Sequence, residues 1–589
     1  MKNLALWVVL MASVSRGLGD DVYPKEGWKD APSPLASPKA VVGGEISLYA
    51  GQYPESLNYY LANNTFSYQV FATMYASLLG LDPLTADFTP GLAEKWSISD
   101  DKLTFTFWID PRAKWSDGKP VTAEDVKWTY ETLMDPKNLT GPHKVRLEKF
   151  DVPVVAGERE VRFHAKEVHW RNLLACGEML ILPKHAYEKM EFNKINFEFP
   201  VISGAYRLGD IKANVYLKME RRADWWARGL KRNQYTGNFQ TLTFRFFDES
   251  ENAFEVLKKG QIDVYPVYMA RLWVNETKGE KFEKNWIIKQ RVQNHQPIGF
   301  QGFAMNMRRF PFDDLKVRTA MAYLLDRERM NATLMYNQYF LHRSYFEDLY
   351  DKDHVCKNQF YEFNKDKARA LLQEAGWKAN PETGLIEKGR KPFKFKFLTR
   401  DASSDKFLAI YSEDLKDVGI QFTIDRKDGA AWARDMDEFN YDVTWAAWSG
   451  SLFKDPESMW ASKEADRKAG NNVTGFKDAR VDELIEKQRA VFNVEERNSI
   501  NREIDERVTK QVPYVLLWNI NAVRLLYWNK FGTPPTVLSK LGDDGGATEY
   551  WWLDEDSAAD LTDAMKNGLA LPARKPVIVF DDEFKGGGK

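Results

Sequence analysis

Cysteine, histidine and long apolar runs are scarce in this sequence, and each shortage excludes a class of protein. The two cysteines, Cys176 and Cys356, are too few for a disulfide scaffold and lack the spacing of a zinc site. They either pair with each other or remain as two buried thiols. The 7 histidines are scattered and form no HExxH motif, so the sequence gives no basis for a metal site or for another cofactor.

An excess of charge of one sign is also missing. Lys and Arg total 83 against 85 Asp and Glu, which leaves a net charge of -2. A surface without a basic excess has no electrostatic attraction for nucleic acid or for an anionic membrane. We therefore expect neither of them as a partner.

No apolar run is long enough to cross a bilayer as a helix. The run Leu4–Val14 is too short, and the run Val512–Trp528 is interrupted by polar residues. Leu4–Val14 follows a basic Met1-Lys2-Asn3 start and precedes Gly17-Leu18-Gly19, which is the pattern of a secretory signal peptide. We therefore predict a signal peptide at 1–19 and a periplasmic mature protein. It is not expected to be a lipoprotein, because no cysteine lies near the cleavage point.

Length and tryptophan content are the main positive features. A chain of 589 residues exceeds what one hydrophobic core usually serves, so we expect two or three lobes. Hydrophobic residues make up 44% and charged residues 29%, which is ordinary for a globular protein. The 20 tryptophans indicate either a tryptophan-rich core or a site where a ligand stacks on aromatic rings.

The first folded elements have clear local signals. Residues 20–40 contain four prolines and are predicted to be an extended lead-in, because proline interrupts helices. Leu103–Phe107 alternates apolar and polar residues, which predicts a strand. After a turn at Ser116–Pro120, Thr122 is a good N-cap for a helix with acidic residues in its first turn. The order is strand, turn and capped helix.

The same stretch resembles a known family. The run DGKPVTAEDV at 117–126, after TFTFWIDP at 104–111, is similar to the signature of the bacterial extracellular solute-binding proteins of family five, the oligopeptide and dipeptide binders. Further similar segments follow in the family's order: Ser203–Leu208, Ala253–Val264, Phe303–Asn306, Pro311–Asp326, Asn472–Phe476, Asp482–Ile485 and Pro513–Leu517. The resemblance covers roughly residues 41–530, and the chain after that departs from the family pattern.

The resemblance implies an α/β fold, that of a two-lobe periplasmic binding protein (type II-like, cluster C) with an extra subdomain on the first lobe. On this basis the first lobe is expected at 41–90, 200–302 and 515–575, the extra subdomain at 91–199, the second lobe at 303–514 and a tail at 576–589. Two strands, Gly302–Met305 and Tyr514–Leu517, are expected to cross between the lobes and to form a hinge.

The resemblance also implies a function. Family members of this kind bind oligopeptides in a cleft that closes by hinge motion, and they deliver the ligand to an ABC permease and its ATPase in the inner membrane. The chain is accordingly expected to be a monomeric, non-enzymatic binding protein without a cofactor.

One aspartate is the candidate for recognising the ligand's amino terminus. In peptide-binding relatives, an aspartate after a tryptophan-containing strand of the second lobe pairs with the peptide's α-ammonium, and Asp455, just before Pro456, resembles that position best. A charge-assisted bond would suit an N-terminus whatever its side chain. The alternative is that Asp455 only starts the turn at Pro456, or that the neighbouring Lys454 diverts it into an ion pair.

Aromatic and amide side chains supply the other candidates. Trp445 and Trp448 are predicted on opposite faces of one strand, so we expect only Trp448 to line the cleft and Trp445 to lie in the core. Trp460 is a candidate whose simpler role is packing, and Asn472, after Asn471, is one whose simpler role is loop structure. The remaining candidates follow the first strand and are Tyr53, Asn58 and Tyr59.

Three alternative functions stay open at this point. An oligosaccharide is the rival ligand, because Trp448, Trp460 and the pair Tyr59-Tyr60 could stack on sugar faces. Nickel or a metallophore is a third ligand class. A secreted glycoside hydrolase is the enzymatic alternative and needs two carboxylates facing across a sugar, but no GxSxG motif or Cys/His pairing favours an enzyme.

Overall fold

A computed structural model describes residues 21–62 and 64–585, so the signal peptide predicted at 1–19 lies outside the described residues. The strands are β1 (Asp21–Tyr23), β2 (Glu45–Tyr49), β3 (Leu79–Leu81), β4 (Phe88–Pro90), β5 (Ala93–Ile98), β6 (Thr104–Ile109), β7 (Val154–Gly157), β8 (Glu160–His164), β9 (Tyr206–Lys212), β10 (Tyr216–Arg221), β11 (Thr241–Arg245), β12 (Val264–Pro266), β13 (Ile287–Gln293), β14 (Phe300–Met305), β15 (Phe340–Leu341), β16 (Lys378–Ala379), β17 (Ile386–Lys388), β18 (Lys391–Pro392), β19 (Lys394–Thr399), β20 (Gln421–Arg426), β21 (Val443–Trp448), β22 (Tyr514–Leu516), β23 (Trp518–Asn519), β24 (Val523–Trp528), β25 (Phe531–Gly532), β26 (Trp552–Leu553) and β27 (Val577–Val579).

The α-helices are α1 (Thr65–Met74), α2 (Ala123–Met134), α3 (Gly141–Leu147), α4 (Arg171–Gly177), α5 (Lys184–Tyr187), α6 (Ser250–Lys258), α7 (Glu280–Glu283), α8 (Leu315–Tyr323), α9 (Arg327–Leu334), α10 (Lys365–Glu374), α11 (Asp405–Lys416), α12 (Gly429–Asp437), α13 (Glu457–Trp460), α14 (Ala479–Arg489), α15 (Val494–Gln511), α16 (Gly546–Tyr550), α17 (Glu555–Asn567) and α18 (Phe580–Glu583). Within the described part of the chain, every helix is too short or too polar to cross a membrane.

The chain divides into two compact units. The first contains 21–29, 56–80 and 88–204, and the second contains 30–55, 81–87 and 205–585. The extra subdomain predicted at 91–199 lies within the first unit, which also includes 56–80.

The first unit is built around an antiparallel sheet with the strand order β1-β5-β6-β8-β7. The strand predicted from alternation is β6, and its Phe105 and Phe107 are completely buried. The helix predicted after Thr122 is α2. The carboxylate of Asp125 in its first turn accepts hydrogen bonds from the Thr122 amide (2.9 Å) and hydroxyl (3.0 Å), so the local sequence signals are confirmed here.

The second unit contains two larger sheets. The first sheet has the order β27-β13-β24-β12-β2-β11-β10-β9 and is mixed, with β2 parallel to both β11 and β12. The second sheet has the order β20-β19-β21-β14-β22, with β19 parallel to both of its neighbours. One buried cluster packs around Phe303 and Leu517 on the second sheet, and another packs around Tyr265 and Leu526 on the first sheet.

Two chain segments pass between these sheets, and we call 294–299 and 517–522 the crossing segments. They meet where they approach the second sheet: the Asn519 side chain donates to the Gly299 carbonyl (2.7 Å), and the Leu517 amide donates to the Gln301 carbonyl at the start of β14 (2.9 Å). The predicted crossing strands Gly302–Met305 and Tyr514–Leu517 belong almost wholly to β14 and β22 of the second sheet. The chain therefore crosses between the sheets a few residues before β14 and directly after β22, and not within the predicted strands.

The end of the chain differs from the prediction of a tail at 576–589. Val577–Val579 forms β27, which pairs in parallel with β13 at the edge of the first sheet. Phe580 is 2% exposed and packs with Leu35 and Tyr550. The prediction is therefore wrong for 577–583, because the short continuous apolar run Val577–Phe580 is sufficient for an edge strand.

Both cysteines are free thiols in this structure. Cys176 on α4 is buried, and its thiol donates to the Asn172 carbonyl (3.1 Å). Cys356 is half-buried in the loop before α10. Of the two readings of the sequence, free thiols are therefore observed, although only one of the two is fully buried.

Candidate ligand-binding site

The carboxyl ends of β19 and β21 open into a cavity of about 620 Å³. These strands are parallel neighbours, and α/β sheets bind ligands outside the carboxyl ends of parallel strands. The volume lies within the range of about 300–1,000 Å³ that is usual for small-molecule pockets. The side chains that give the cavity its chemistry are Arg400, Asp401, Ser403, Ser404, Phe407, Trp432, Trp445 and Trp448.

The turn after β19 supplies the polar part of the wall. In β19, the buried Phe395 and Phe397 alternate with exposed lysines, and burial of the two phenylalanines sets the orientation of the strand. Arg400 and Asp401 follow directly after β19 and therefore lie at the edge of the sheet. The Asp401 carboxylate accepts hydrogen bonds from the amide (2.8 Å) and the hydroxyl of Ser403, which closes the turn before α11. The side chains at this edge are therefore held in a defined turn.

The two tryptophans of β21 supply the floor of the cavity. They lie on opposite faces, as predicted: the Trp445 indole donates to the Gln301 side chain (2.9 Å), whereas the Trp448 indole donates to the Tyr514 hydroxyl (3.2 Å). Both nevertheless line the cavity. A cavity at the end of a sheet is open to both of its faces, so Trp445 reaches it as well as Trp448. Which of the two contacts a ligand stays a prediction.

Charge in the cavity comes from two adjacent residues. The Arg400 guanidinium lies 5.3 Å from the centre of the Trp432 ring, and its Nε is 3.6 Å from the Asp401 carboxylate. Hydrogen bonds from Ser403 lower the pKa of Asp401, so this carboxylate is ionised at neutral pH. The cavity thus offers one anion and one cation beside aromatic surfaces, which suits a ligand with both charged and apolar parts.

Asp455 lies at the start of α13 and does not line this cavity. Its carboxylate accepts the Glu457 amide (3.1 Å). Burial lowers the pKa of Arg497 to about 10, and the nearby charge of Asp455 opposes that fall. Lys454 points elsewhere, because its ammonium pairs with Asp348 (2.5 Å). The bond to Glu457 is that of a helix-starting turn, and the role of Asp455 toward a ligand stays a prediction.

Trp460 and Asn472 occupy the interior of the second unit. Trp460 is 1% exposed and packs on Phe300 and Phe476. Asn472 is 1% exposed, and its side-chain oxygen accepts the amides of Gly475 (3.1 Å) and Phe476 (3.0 Å). The simpler roles considered for these residues, packing and loop structure, describe their observed contacts.

The candidates near the first strand are separated by the division into units. Tyr53 belongs to the second unit and packs edge-on against Phe246, with 4.9 Å between ring centres. Asn58 and Tyr59 belong to the first unit. Asn58 is 1% exposed and donates to the Ile195 carbonyl (3.0 Å), and Tyr59 packs against Tyr68 and His143.

Sequence reasoning missed most of the cavity wall. Arg400, Asp401, Ser403 and Trp432 were not candidates, although an alternating strand followed by a polar Thr-Arg-Asp-Ala-Ser turn is visible in the sequence. That signal becomes useful only when β19 is known to be parallel to β21, since the carboxyl ends of both strands then meet at one edge. In residues 21–62 and 64–585, no group of three His, Cys, Asp or Glu side chains is arranged to hold a metal ion.

Comparisons with known proteins agree with this architecture. The family model for bacterial extracellular solute-binding proteins, family 5 Middle, matches residues 87–470. The chain is 29% identical over 508 residues to the uncharacterized protein y4wM of Sinorhizobium fredii, covering 78% of this chain and 75% of that protein. It is 28% identical over 561 residues to the probable peptide-binding protein YejA of Agrobacterium fabrum, covering 87% of this chain and 90% of that protein.

A solved structure shows the same fold. The oligopeptide-binding protein AppA from Bacillus subtilis, in complex with a nonapeptide, has a TM-score of 0.67 and 22% identity, covering 87% of this chain and 100% of that one. The predicted α/β fold of a two-lobe periplasmic solute-binding protein is confirmed. The chain belongs to the bacterial extracellular solute-binding proteins of family 5.

Proposed function

We propose that this chain binds oligopeptides in the cavity at the carboxyl edge of the second sheet and serves as the periplasmic binding component of an ABC importer. The cavity of about 620 Å³ carries the proposal, because it combines four aromatic rings with one carboxylate and one guanidinium. The names of YejA and AppA support a peptide as the ligand class. The chain acts without catalysis and as a monomer in this proposal.

The charged residues of the cavity fit the ends and backbone of a peptide. The ionised Asp401 is suited to a peptide ammonium, and Arg400 is suited to a carboxylate or to backbone carbonyls. Phe407, Trp432 and Trp448 offer faces for side chains of different shape. Asp455 remains the rival ammonium anchor, on the family resemblance of its position.

An oligosaccharide is the second candidate, and the same aromatic faces favour it. Neutral sugars need stacking surfaces and hydroxyl partners, which Trp432 and the serines after β19 offer. A neutral sugar can hydrogen-bond to Arg400 and Asp401 but has no charges that match theirs, whereas a peptide has, so this pair favours the peptide. Asp401 is the one carboxylate among the described residues that line the cavity, whereas glycoside hydrolysis uses two.

The first test is native mass spectrometry of the mature protein followed by thermal unfolding with ligands. We expect co-purified peptides, and a higher melting temperature with tri- to octapeptides but not with cello- or xylo-oligosaccharides. Trp432→Ala should weaken peptide binding about tenfold by removing one aromatic face. The matched control Trp28→Ala removes an exposed tryptophan of the first unit and should leave binding unchanged. Stabilisation by sugars alone would contradict a peptide ligand.

The ammonium anchor is tested separately with two isosteric variants. Asp401→Asn should reduce affinity for a free peptide about tenfold and should not affect an N-acetylated peptide, which has no ammonium. Asp455→Asn should leave both affinities unchanged. The reverse pattern would assign the anchor to Asp455 and would remove Asp401 from this role.

Location and transport need cellular measurements. We expect the mature protein in the periplasmic fraction. A strain lacking it should lose uptake of the peptides that stabilise the purified protein, and uptake should also require the permease and its ATPase. Normal uptake of those peptides without this chain would contradict the role in import.

A further inference from the structure

One arginine of the first sheet is buried without the partners that a buried charge normally has. Arg524 on β24 is 2% exposed, and none of its three guanidinium nitrogens has a hydrogen-bond partner among the described residues. By contrast, Arg327 is 5% exposed and donates to the carbonyls of His342 (2.9 Å) and Leu516 (3.0 Å). Desolvating a guanidinium without acceptors is strongly unfavourable, so a group that supplied acceptor oxygens to Arg524 would stabilise the fold.

A second arginine lies directly beside it. Arg291 on β13 is the cross-strand neighbour of Arg524, so both side chains leave the same face of the sheet. Burial and the charge of Arg524 lower the pKa of Arg291. Its Nε also has no hydrogen-bond partner in the described chain, and one of its terminal nitrogens reaches only the Asn521 side chain (3.3 Å). Neither arginine forms an ion pair with a described carboxylate, so the pair is a focus of uncompensated positive charge.

The position of this pair is at the passage between the two sheets. Arg524 follows the crossing segment 517–522, and its guanidinium lies 5.0 Å from the centre of the Tyr339 ring. Tyr339 packs on the hydrophobic core of the second sheet, and its hydroxyl donates to the Tyr268 carbonyl (3.0 Å) next to β12 of the first sheet. Arg524 therefore lies against a residue that packs on the core of the other sheet.

We propose that Arg524 and Arg291 form a binding site for a small oxyanion, either a carboxylate or inorganic phosphate, beside the crossing segments. The planar guanidinium forks match two oxygens of one such group. An anion held there would contact the first sheet through the arginines and lie beside Tyr339, which packs on the core of the second sheet, so it would favour the arrangement in which the sheets are close together. Separation of Tyr339 from Arg524 opens the path for the anion.

The test measures melting temperature against acetate and, separately, phosphate, at ionic strength held constant with the bulky buffer anion HEPES. The wild type should show a saturable rise. The control Arg207→Met removes an exposed arginine of the same sheet, which pairs with Glu220, and should show the same rise. Arg524→Met should show none. Without anion its melting temperature should equal or exceed that of the wild type, because an uncompensated buried charge has been removed.

Two results would overturn the proposal: a wild type that responds no more than to salt in general, or an Arg524→Met variant that keeps the wild-type response. If Arg524→Met does not fold, Arg291→Met serves instead and should weaken the apparent anion affinity about tenfold, because one fork is lost. An unchanged affinity in that variant would also overturn it. None of these arms uses a peptide, so their failure is distinct from failure of the proposed function.

A second arm, which rests on the proposed function, identifies the source of the anion. If the site takes the ligand's own carboxylate, a free peptide acid should bind at least about tenfold tighter than its C-terminal amide, acetate should compete, and Arg524→Met should abolish the preference. If the site takes a free anion, the acid and the amide should bind equally, and acetate should strengthen both. Binding of both that is indifferent to acetate would contradict either source.

Discussion

The buried carboxylate of Asp505 allows a prediction in which two opposing effects can be weighed. Asp505 on α15 is completely buried. It accepts hydrogen bonds from the Ser344 hydroxyl (2.8 Å), the Tyr345 amide (2.8 Å), the Tyr350 hydroxyl (2.8 Å) and the Asn358 side chain (2.6 Å). Burial favours the protonated form, whereas these donors favour the charged form.

Burial wins this competition and raises the pKa of Asp505 from 3.8 to about 6. The full difference between the two values corresponds to about 3 kcal/mol. Because the folded state holds the proton more tightly than the unfolded state, this contribution is complete below pH 3.8 and is lost as the pH rises through about 6. Between pH 7.5 and pH 5, it should change the free energy of unfolding by about 1.4 kcal/mol in favour of the lower pH.

The measurement is the difference in unfolding free energy between the wild type and Asp505→Asn, from urea titrations at pH 5 and pH 7.5. Asparagine keeps the size of the side chain but cannot ionise, so the comparison isolates the carboxylate. We expect the wild type to gain on the variant as the pH falls. Asp401→Asn is the control without a pH effect in this window, because the pKa of Asp401 is lowered from 3.8 and its carboxylate is ionised at both pH values in the folded and the unfolded state. A wild type that gains on Asp505→Asn as the pH rises would refute the reasoning and show that the four donors outweigh burial.

Two further predictions concern a glycine beside the cavity and the thiols. In Gly299→Ala, the added Cβ would meet the Trp448 carbonyl oxygen at 2.0 Å, so peptide affinity measured by calorimetry should fall at least about tenfold, whereas Gly229→Ala, with open space around it, should bind normally. Burial raises the pKa of the Cys356 thiol to about 11, so its alkylation by iodoacetamide at pH 7.5 should be about a hundredfold slower than that of free cysteine and should accelerate with pH. Cys176 should react only after unfolding, and rapid labelling of the native protein would contradict both assignments.

The parts of the fold that sequence predicted well are those set by local signals. The strand β6 and the capped helix α2 follow from alternation and from the Thr122 cap, and both are observed. The crossing segments were displaced by a few residues, because apolar runs such as Tyr514–Leu517 are equally suited to a sheet interior. Pairing partners far apart in sequence leave no local signal, and β27 was missed for this reason.

Features of the cavity that depend on local sequence could be predicted, whereas features that depend on how distant strands pair could not. The faces of Trp445 and Trp448 followed from strand periodicity, but their shared access to one cavity depended on where the sheet ends. Arg400 and Asp401 became candidates only through the parallel pairing of β19 and β21. Trp460 is 1% exposed, which agrees with its simpler role in packing, and tryptophan content alone does not separate a buried packing residue from a ligand contact.

The strand order of the first sheet has a consequence for how the chain is made. The inner strand β12 (Val264–Pro266) is flanked by β2, from residues 45–49, and by β24, from residues 523–528. A growing chain therefore carries the first strands of this sheet through most of its synthesis before β24 emerges. Such distant pairings form slowly. Any product that ends before residue 523 leaves the apolar β12 with a bare edge, the feature that most readily recruits other chains into aggregates.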